Sequence, residues 1–189
     1  MLMTQQDDIY AAKNLALFEM LYGENLISLG GLPAIDNMFK GLEVKGLKAL
    51  DFGFGLGGVA FYLAQNYHME VSGIELYDWM VQHAKAHTPA SLKNQLHFTA
   101  YDGKTLPFEK ECFELIYSKG VFNHIKDKAA VFKQLHALLK PKGLLVIADW
   151  IVDLNCGLSI GHQSTIRNPF LNQQSNNGVN QQCAISDPQ

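Results

Sequence analysis

The sequence predicts an α/β fold: a parallel sheet with helices on both faces, built as one domain. Three observations carry this expectation. Short apolar runs alternate with helical patterns between residues 48 and 150, the order that produces a parallel sheet flanked by helices. The first run, Ala49-Leu50-Asp51-Phe52, opens into glycines at 53, 55, 57 and 58, where the backbone can turn sharply with no Cβ in the way. A length of 189 residues suits one domain with a sizeable core.

Taken in order, the apolar residues Ile9, Leu15, Phe18, Leu21 and Tyr22 follow helical spacing and predict a helix from Asp7 to Tyr22. Gly23 ends it as a C-cap. Pro33 then opens a second helix running to about Phe39. Residues 1–40 thus form a helical entry to the sheet. The strand Lys48 to Phe52 follows, and after the glycines a helix over Val59 to Ala64. Met69 to Leu76 is the second strand, Trp79 to Ala86 a helix, and Gln95 to Ala100 the third strand. Phe113 to Ser118 is the fourth. Asp127 caps a helix whose stripe Val131, Phe132, Leu135, Leu138 and Leu139 faces the core. Lys140-Pro141-Lys142-Gly143 breaks that helix and turns the chain into a fifth strand, Leu144 to Trp150. The domain spans residues 1–153. From 154 to 189 the chain is polar: twelve of the residues from 155 to 189 are Asn or Gln, too few apolar groups to offset ordering entropy. That tail is expected to be disordered and to hold no strand.

Composition excludes several classes. A net charge of −3 supplies no basic footprint for nucleic acid. No apolar run approaches the ~18 residues of a membrane span, and the polar start MLMTQQDD is no signal peptide. Cys112, Cys156 and Cys183 show neither metal spacing nor a disulfide framework. The expectation is a cytoplasmic protein with no metal.

A glycine loop between strand and helix lets a ligand reach the main chain and helix N–H groups. Two patterns overlap there. The glycines at 53, 55 and 58 fit the GxGxxG dinucleotide fingerprint, so a nicotinamide-dependent oxidoreductase is one alternative. The same letters contain Asp51-x-Gly53-x-Gly55, a form the dinucleotide pattern leaves unexplained. Glu75 ends the second strand, 24 residues beyond Asp51, where an acid can accept hydrogen bonds from both ribose hydroxyls. Asp102, with Gly103 beside it, follows the third strand and offers a carboxylate to an adenine amino group. All these positions lie at carboxyl ends of strands, where open α/β sheets bind ligands.

Asp51-x-Gly53-x-Gly55 resembles motif I of the class I S-adenosylmethionine-dependent methyltransferases, and the Leu139-Lys140-Pro141-Lys142-Gly143 turn resembles a late landmark of the same class. More specifically, the run from Tyr22 to Gly31 (YGENLISLGG), with LDFGFGLGG, GIEL and IYSKGVFNHI, is similar to the phosphoethanolamine N-methyltransferases over residues 9 to 152. The resemblance implies a Rossmann-like class I methyltransferase sheet and S-adenosylmethionine as cofactor, with transfer to a small-molecule amine. It implies a lid and catalytic pair at Tyr10 and His124. It also implies cofactor contacts from Ile27, Ser28, Asp51, Gly53, Gly55, Gly57, Glu75, Asp102 and Gly103.

Two departures temper this. Where the family has a Ser-Arg-Asp run after the fourth strand, this chain has Ser118-Lys119-Gly120, losing a carboxylate suited to a cationic amine. The family's chain also continues past the fifth strand with two more strands and a phosphate site, where this chain has its polar tail. A C-terminally truncated, weakly active member is expected, with an S-adenosylmethionine-binding module without turnover as the alternative. An uncovered fifth strand is a template for association, so a homo-oligomer through that edge is expected too.

Overall fold

The computed structural model describes residues 9–28, 30–151 and 162–167. Its sheet has the order β3-β2-β1-β4-β5-β6, with β1 (Lys48–Phe52), β2 (Glu70–Glu75), β3 (Leu96–Ala100), β4 (Phe113–Lys119), β5 (Leu139–Ile151) and β6 (His162–Arg167). The first five strands are parallel and β6 runs antiparallel to β5. The helices are α1 (Leu15–Tyr22), α2 (Gly31–Phe39), α3 (Gly58–Tyr67), α4 (Asp78–His87) and α5 (Lys128–Leu138).

The strand side chains alternate between two cores. Ala49, Val71, Leu115, Tyr117, Val146 and Ala148 pack on the face that carries α2, α3 and α4, with Ile35, Met38, Leu63 and Val81. Leu50, Phe52, Ile74, Ile116 and Ile147 pack on the opposite face under α5, with Leu135 and Leu138. A strand buried on both faces is apolar at consecutive positions, as parallel sheets require. Asp51 shares the first face with Ala49 and is buried there.

Four expectations change in detail. The first helix is shorter than its apolar spacing suggests: a 3₁₀ turn at Ala12–Asn14 precedes α1, and only Phe18 of α1 is buried. The chain before it is held by side chains, with Asn14 Nδ2 donating to the Ile9 carbonyl at 2.9 Å and Trp79 Nε1 to the Tyr10 carbonyl at 3.0 Å. Pro33 is the third residue of α2, which begins at Gly31. The Lys140–Gly143 segment is a bulge inside β5: pairing steps from Phe113↔Leu139 to Leu115↔Leu144, and Lys142 takes φ 67°.

The fourth change concerns the sheet edge. The outer edge of β5 is not bare. It pairs with β6 from Val146↔Arg167 to Ile151↔His162, so the basis for association through an exposed fifth strand is removed. Antiparallel pairing satisfies backbone N–H and C=O groups whatever the side chains, which is why a polar strand escapes an apolar-pattern search. The remainder of the tail, with Cys156 and Cys183, lies outside the described residues. Among the described residues, no helix is long and apolar enough to cross a membrane, and no cluster of acids, histidines and cysteines could hold a metal.

Gly73, in the middle of β2, is the tightest point of the first core. A Cβ there would meet Phe54 Cδ1 at 2.6 Å and Phe98 Cδ1 at 2.8 Å, splitting two rings whose centroids are 4.6 Å apart. Gly73→Val should therefore destabilise by ~1–3 kcal/mol through overpacking. That lowers the melting temperature by roughly 2–12 °C in a chain of this size. An unchanged melting temperature would show that the rings have room to move.

Candidate active site

A cavity of ≈ 690 Å³ opens at the carboxyl ends of β1, β2 and β4. This is where the chain, after laying β2 and β3 on one side of β1, crosses back to place β4 on the other, the usual ligand position in an open α/β sheet. Its floor is the loop from Gly53 onward, its flanks are Glu75 and Lys119, and residues from the N-terminal segment cover it.

The loop is built for close approach. Gly53 N–H donates to the Ile74 carbonyl at 2.9 Å, and the residue holds φ 79°, a left-handed conformation that favours glycine. A Cβ on Gly53 would lie 2.5 Å from Val121 Cγ2, and one on Gly55 2.6 Å from Ile27 Cδ1. Gly55 N–H donates to Glu75 Oε2 at 3.0 Å. Gly53 lines the cavity, whereas Gly55 and Gly57 stand behind it. Gly57 serves helix packing, since its Cβ would meet Phe61 Cζ at 3.0 Å and Ala84 Cβ at 3.1 Å.

Glu75 ends β2 with its carboxylate buried. Besides Gly55, it accepts N–H bonds from Leu76 at 2.7 Å and Tyr77 at 3.3 Å. Burial raises its pKa, and these three donors oppose the rise. A carboxylate has about four acceptor positions, so capacity for a ligand hydroxyl remains. Asp51, opposite Tyr117 in the sheet register, is more extreme. Burial pushes its carboxyl up to about 8; the nearby Tyr117 hydroxyl lowers it in part and Glu75's charge raises it further. The two groups face each other without completing a hydrogen bond: Asp51 Oδ2 and the Tyr117 hydroxyl both lack a partner.

Tyr10 and His124 meet across 114 residues of chain. The Tyr10 hydroxyl lies 3.0 Å from His124 Nε2, with the rings edge-on at 86°. Tyr10 is steadied by its ring contacts with Phe18 and Tyr77 at 6.0 and 5.9 Å. His124 ends the 3₁₀ turn Phe122–His124 after β4, its N–H on the Val121 carbonyl at 3.0 Å. Ile27 and Ser28 line the cavity.

Of the sequence-predicted residues, the structure brings Tyr10, Ile27, Ser28, Asp51, Gly53, Glu75, Gly103 and His124 around one cavity. Asp102 is not among its lining. Its side chain is exposed, and Oδ1 accepts N–H bonds from Lys104 at 2.9 Å and Thr105 at 3.3 Å, holding its carboxyl below the usual range. It closes its own turn, as aspartates after strands commonly do.

Lys119 is a residue the sequence reasoning left without a role. It is 8% exposed, lines the cavity, and donates from Nζ to Ser28 Oγ at 2.6 Å. Burial pushes its ammonium down to about 8. Its sequence signal is a charged residue closing the otherwise buried strand FELIYSK.

Comparison with known proteins identifies the family and the fold. Residues 50–147 match the model of the methyltransferase domain family, more than half of the chain. Phosphoethanolamine N-methyltransferase 3 of Arabidopsis thaliana is 34% identical over 142 residues, covering 75% of this chain and 29% of that protein. The Plasmodium falciparum phosphoethanolamine N-methyltransferase is 32% identical over 148 residues, covering 77% of this chain and 55% of its own length. Haemonchus contortus phosphoethanolamine N-methyltransferase 2, solved with S-adenosyl-L-methionine, superposes with a TM-score of 0.72 at 27% identity, over 78% of this chain and 35% of that one. The same enzyme has been solved with phosphomonomethylethanolamine and S-adenosylhomocysteine. The chain therefore spans 29% to 55% of the length of these relatives. By the match over residues 50–147 and by these relatives, the chain belongs to the methyltransferase domain family.

Proposed function

We propose that this chain is an S-adenosylmethionine-dependent N-methyltransferase domain whose acceptor is a small amine such as phosphoethanolamine. The observation that carries the reading is the Tyr10–His124 contact of 3.0 Å at a cavity floored by the glycine loop. The residues present fit the cofactor. Glu75 offers a buried carboxylate for ribose hydroxyls, Gly53 brings main chain to the cavity wall, and the orphaned Asp51 oxygen awaits a hydrogen-bond donor. Ser28 and Lys119 together offer a hydroxyl and an ammonium suited to the α-carboxylate of the methionine end, charge-assisted bonds being the strong ones.

When bound, the cofactor supplies an electrophilic methyl group to the lone pair of an in-line nucleophile. The protein's part is alignment and exclusion of water. A primary amine with a Lys-like pKa of ~10.4 is mostly protonated near neutrality and must lose a proton before attack. The Tyr10 hydroxyl and His124 Nε2, 3.0 Å apart, accept it as a relay: the hydroxyl oxygen takes the amine proton while its own proton passes to Nε2. Cofactor binding without turnover is the alternative, favoured by Gly120, which puts no carboxylate at the cavity wall. Transfer of labelled methyl to phosphoethanolamine decides between them: incorporation supports the enzyme, and binding without incorporation supports the module.

Three outcomes are expected. Tyr10→Phe and His124→Ala should each cut methyl transfer by about a hundredfold or more, the usual scale of general base catalysis, with little change in cofactor affinity. Their combined effect should be less than additive, because the two act as a unit; additive losses in a double-mutant cycle would dissolve the pair.

Gly55→Val sets a side chain against Ile27 in a left-handed backbone and should abolish cofactor binding measured by titration calorimetry. Parental affinity in that variant would remove the loop from the site.

The third outcome concerns pH. Asp51 titrates at 3.8 when exposed and about 8 when folded, so between these values the unfolded chain has released a proton that the folded chain keeps. Its stability contribution is thus full at low pH and is lost as pH rises toward 8. The melting temperature of the parent relative to Asp51→Asn should fall steadily from pH 4 to 8. A constant difference would mean the carboxyl is not raised.

A further inference from the structure

Ile27 and Ser28 reach the cavity on a short segment, and something must hold that segment against the glycine loop. Asn25 does so from several sides at once. Its backbone takes φ 58°, a left-handed conformation that Asn tolerates better than most residues. Its N–H donates to Glu19 Oε1 on α1 at 3.0 Å. Its carbonyl accepts the N–H of Gly58, the first residue of α3, at 3.0 Å. A Cβ on Gly58 would lie 2.4 Å from that same carbonyl. Its side-chain Oδ1 faces His83 Nε2 on α4 at 2.8 Å. One residue thus ties three helices to the wall of the cavity.

His83 is half-buried and does not line the cavity. Burial lowers its pKa, the neighbouring His87 lowers it further, and Glu19 opposes both. An amide oxygen accepts, so Nε2–H is the donor. His87 stacks on the His83 ring at 3.9 Å and places its Nδ1 2.8 Å from the His83 carbonyl, which limits rotation of the His83 ring.

We propose that the His83–Asn25 hydrogen bond is a positioning latch: it holds residues 25–28 so that Ile27 and Ser28 meet the cofactor, and a residue on α4 that touches no ligand sets cofactor affinity. The inference rests on the methyltransferase reading of the cavity and adds a positioning residue outside it. A purely structural bond would lower stability and affinity together. A latch lowers affinity while the fold, with its two cores intact, barely responds.

The test is titration calorimetry of the full chain with S-adenosylhomocysteine, paired with melting temperatures. Asn25→Gly keeps the left-handed backbone and both main-chain bonds, removing only the side chain. His83→Ala removes the other partner, and His83→Gln restores an N–H donor. His83→Ala and Asn25→Gly should each weaken binding about three- to tenfold, the worth of one net hydrogen bond. The double variant should lose no more than either alone. Melting temperatures should stay within about 3 °C of the parent, and His83→Gln should recover most of the affinity. Parental affinity in His83→Ala, or a loss that His83→Gln does not repair, would overturn the latch. Absence of binding by the parent chain would bring down the methyltransferase reading, and the latch with it.

Discussion

The missing Cβ atoms between residues 53 and 58 are the constraint on which the site depends. They allow three separate parts of the chain to meet one short loop at backbone distance. Val121, after β4, packs on Gly53; Glu75, at the end of β2, takes the Gly55 N–H; Asn25, ahead of α2, takes the Gly58 N–H. A side chain at 53, 55 or 58 would meet atoms at 2.4–2.6 Å. Each glycine costs about 0.5–1 kcal/mol of conformational freedom relative to alanine. A hydrogen bond to a charged acceptor such as Glu75 returns ~1.5–3 kcal/mol, so the loop is held by the contacts it permits.

That arrangement also explains the charge pattern. Two acids, Asp51 and Glu75, and one amine, Lys119, sit at 8% exposure or less around the same cavity. Burial drives all three toward their neutral forms. Taking three ionisable groups out of water costs the fold free energy, and perturbed groups converging on a cavity are the usual mark of a ligand site. The ligand class they suit is polar at both ends: hydroxyls toward Glu75, an anion toward Lys119 and Ser28, and a donor toward Asp51.

Much of this was legible in the sequence because it rested on periodicity and on glycine. Parallel strands buried on both faces leave continuous apolar runs. A strand that opens into alternate glycines loses conformational entropy at each of them, which only a sharp turn or a close approach to the backbone offsets. What escaped the sequence has a common cause. Gly57 lies against Phe61 and Ala84, outside the cavity lining, and Asp102 accepts the N–H groups of its own turn; neither placement has a local signature in the sequence. β6 pairs through its backbone, which leaves no side-chain signature. Lys119 and Asn25 acquire their roles from residues 91 and 58 positions away, and no local spacing encodes such contacts. The Tyr10–His124 pair spans a greater distance still, and it was reached by resemblance to a family rather than from pattern.

The central claim is that the glycine loop, Glu75 and the segment from Asn25 to Ser28 form one site shaped for S-adenosylmethionine and not for a dinucleotide. Titrating the unaltered chain with S-adenosylmethionine and, separately, with NADH tests it most directly. Saturable one-to-one binding of S-adenosylmethionine with no heat from NADH is the predicted result. Binding of NADH with none of S-adenosylmethionine would contradict the account.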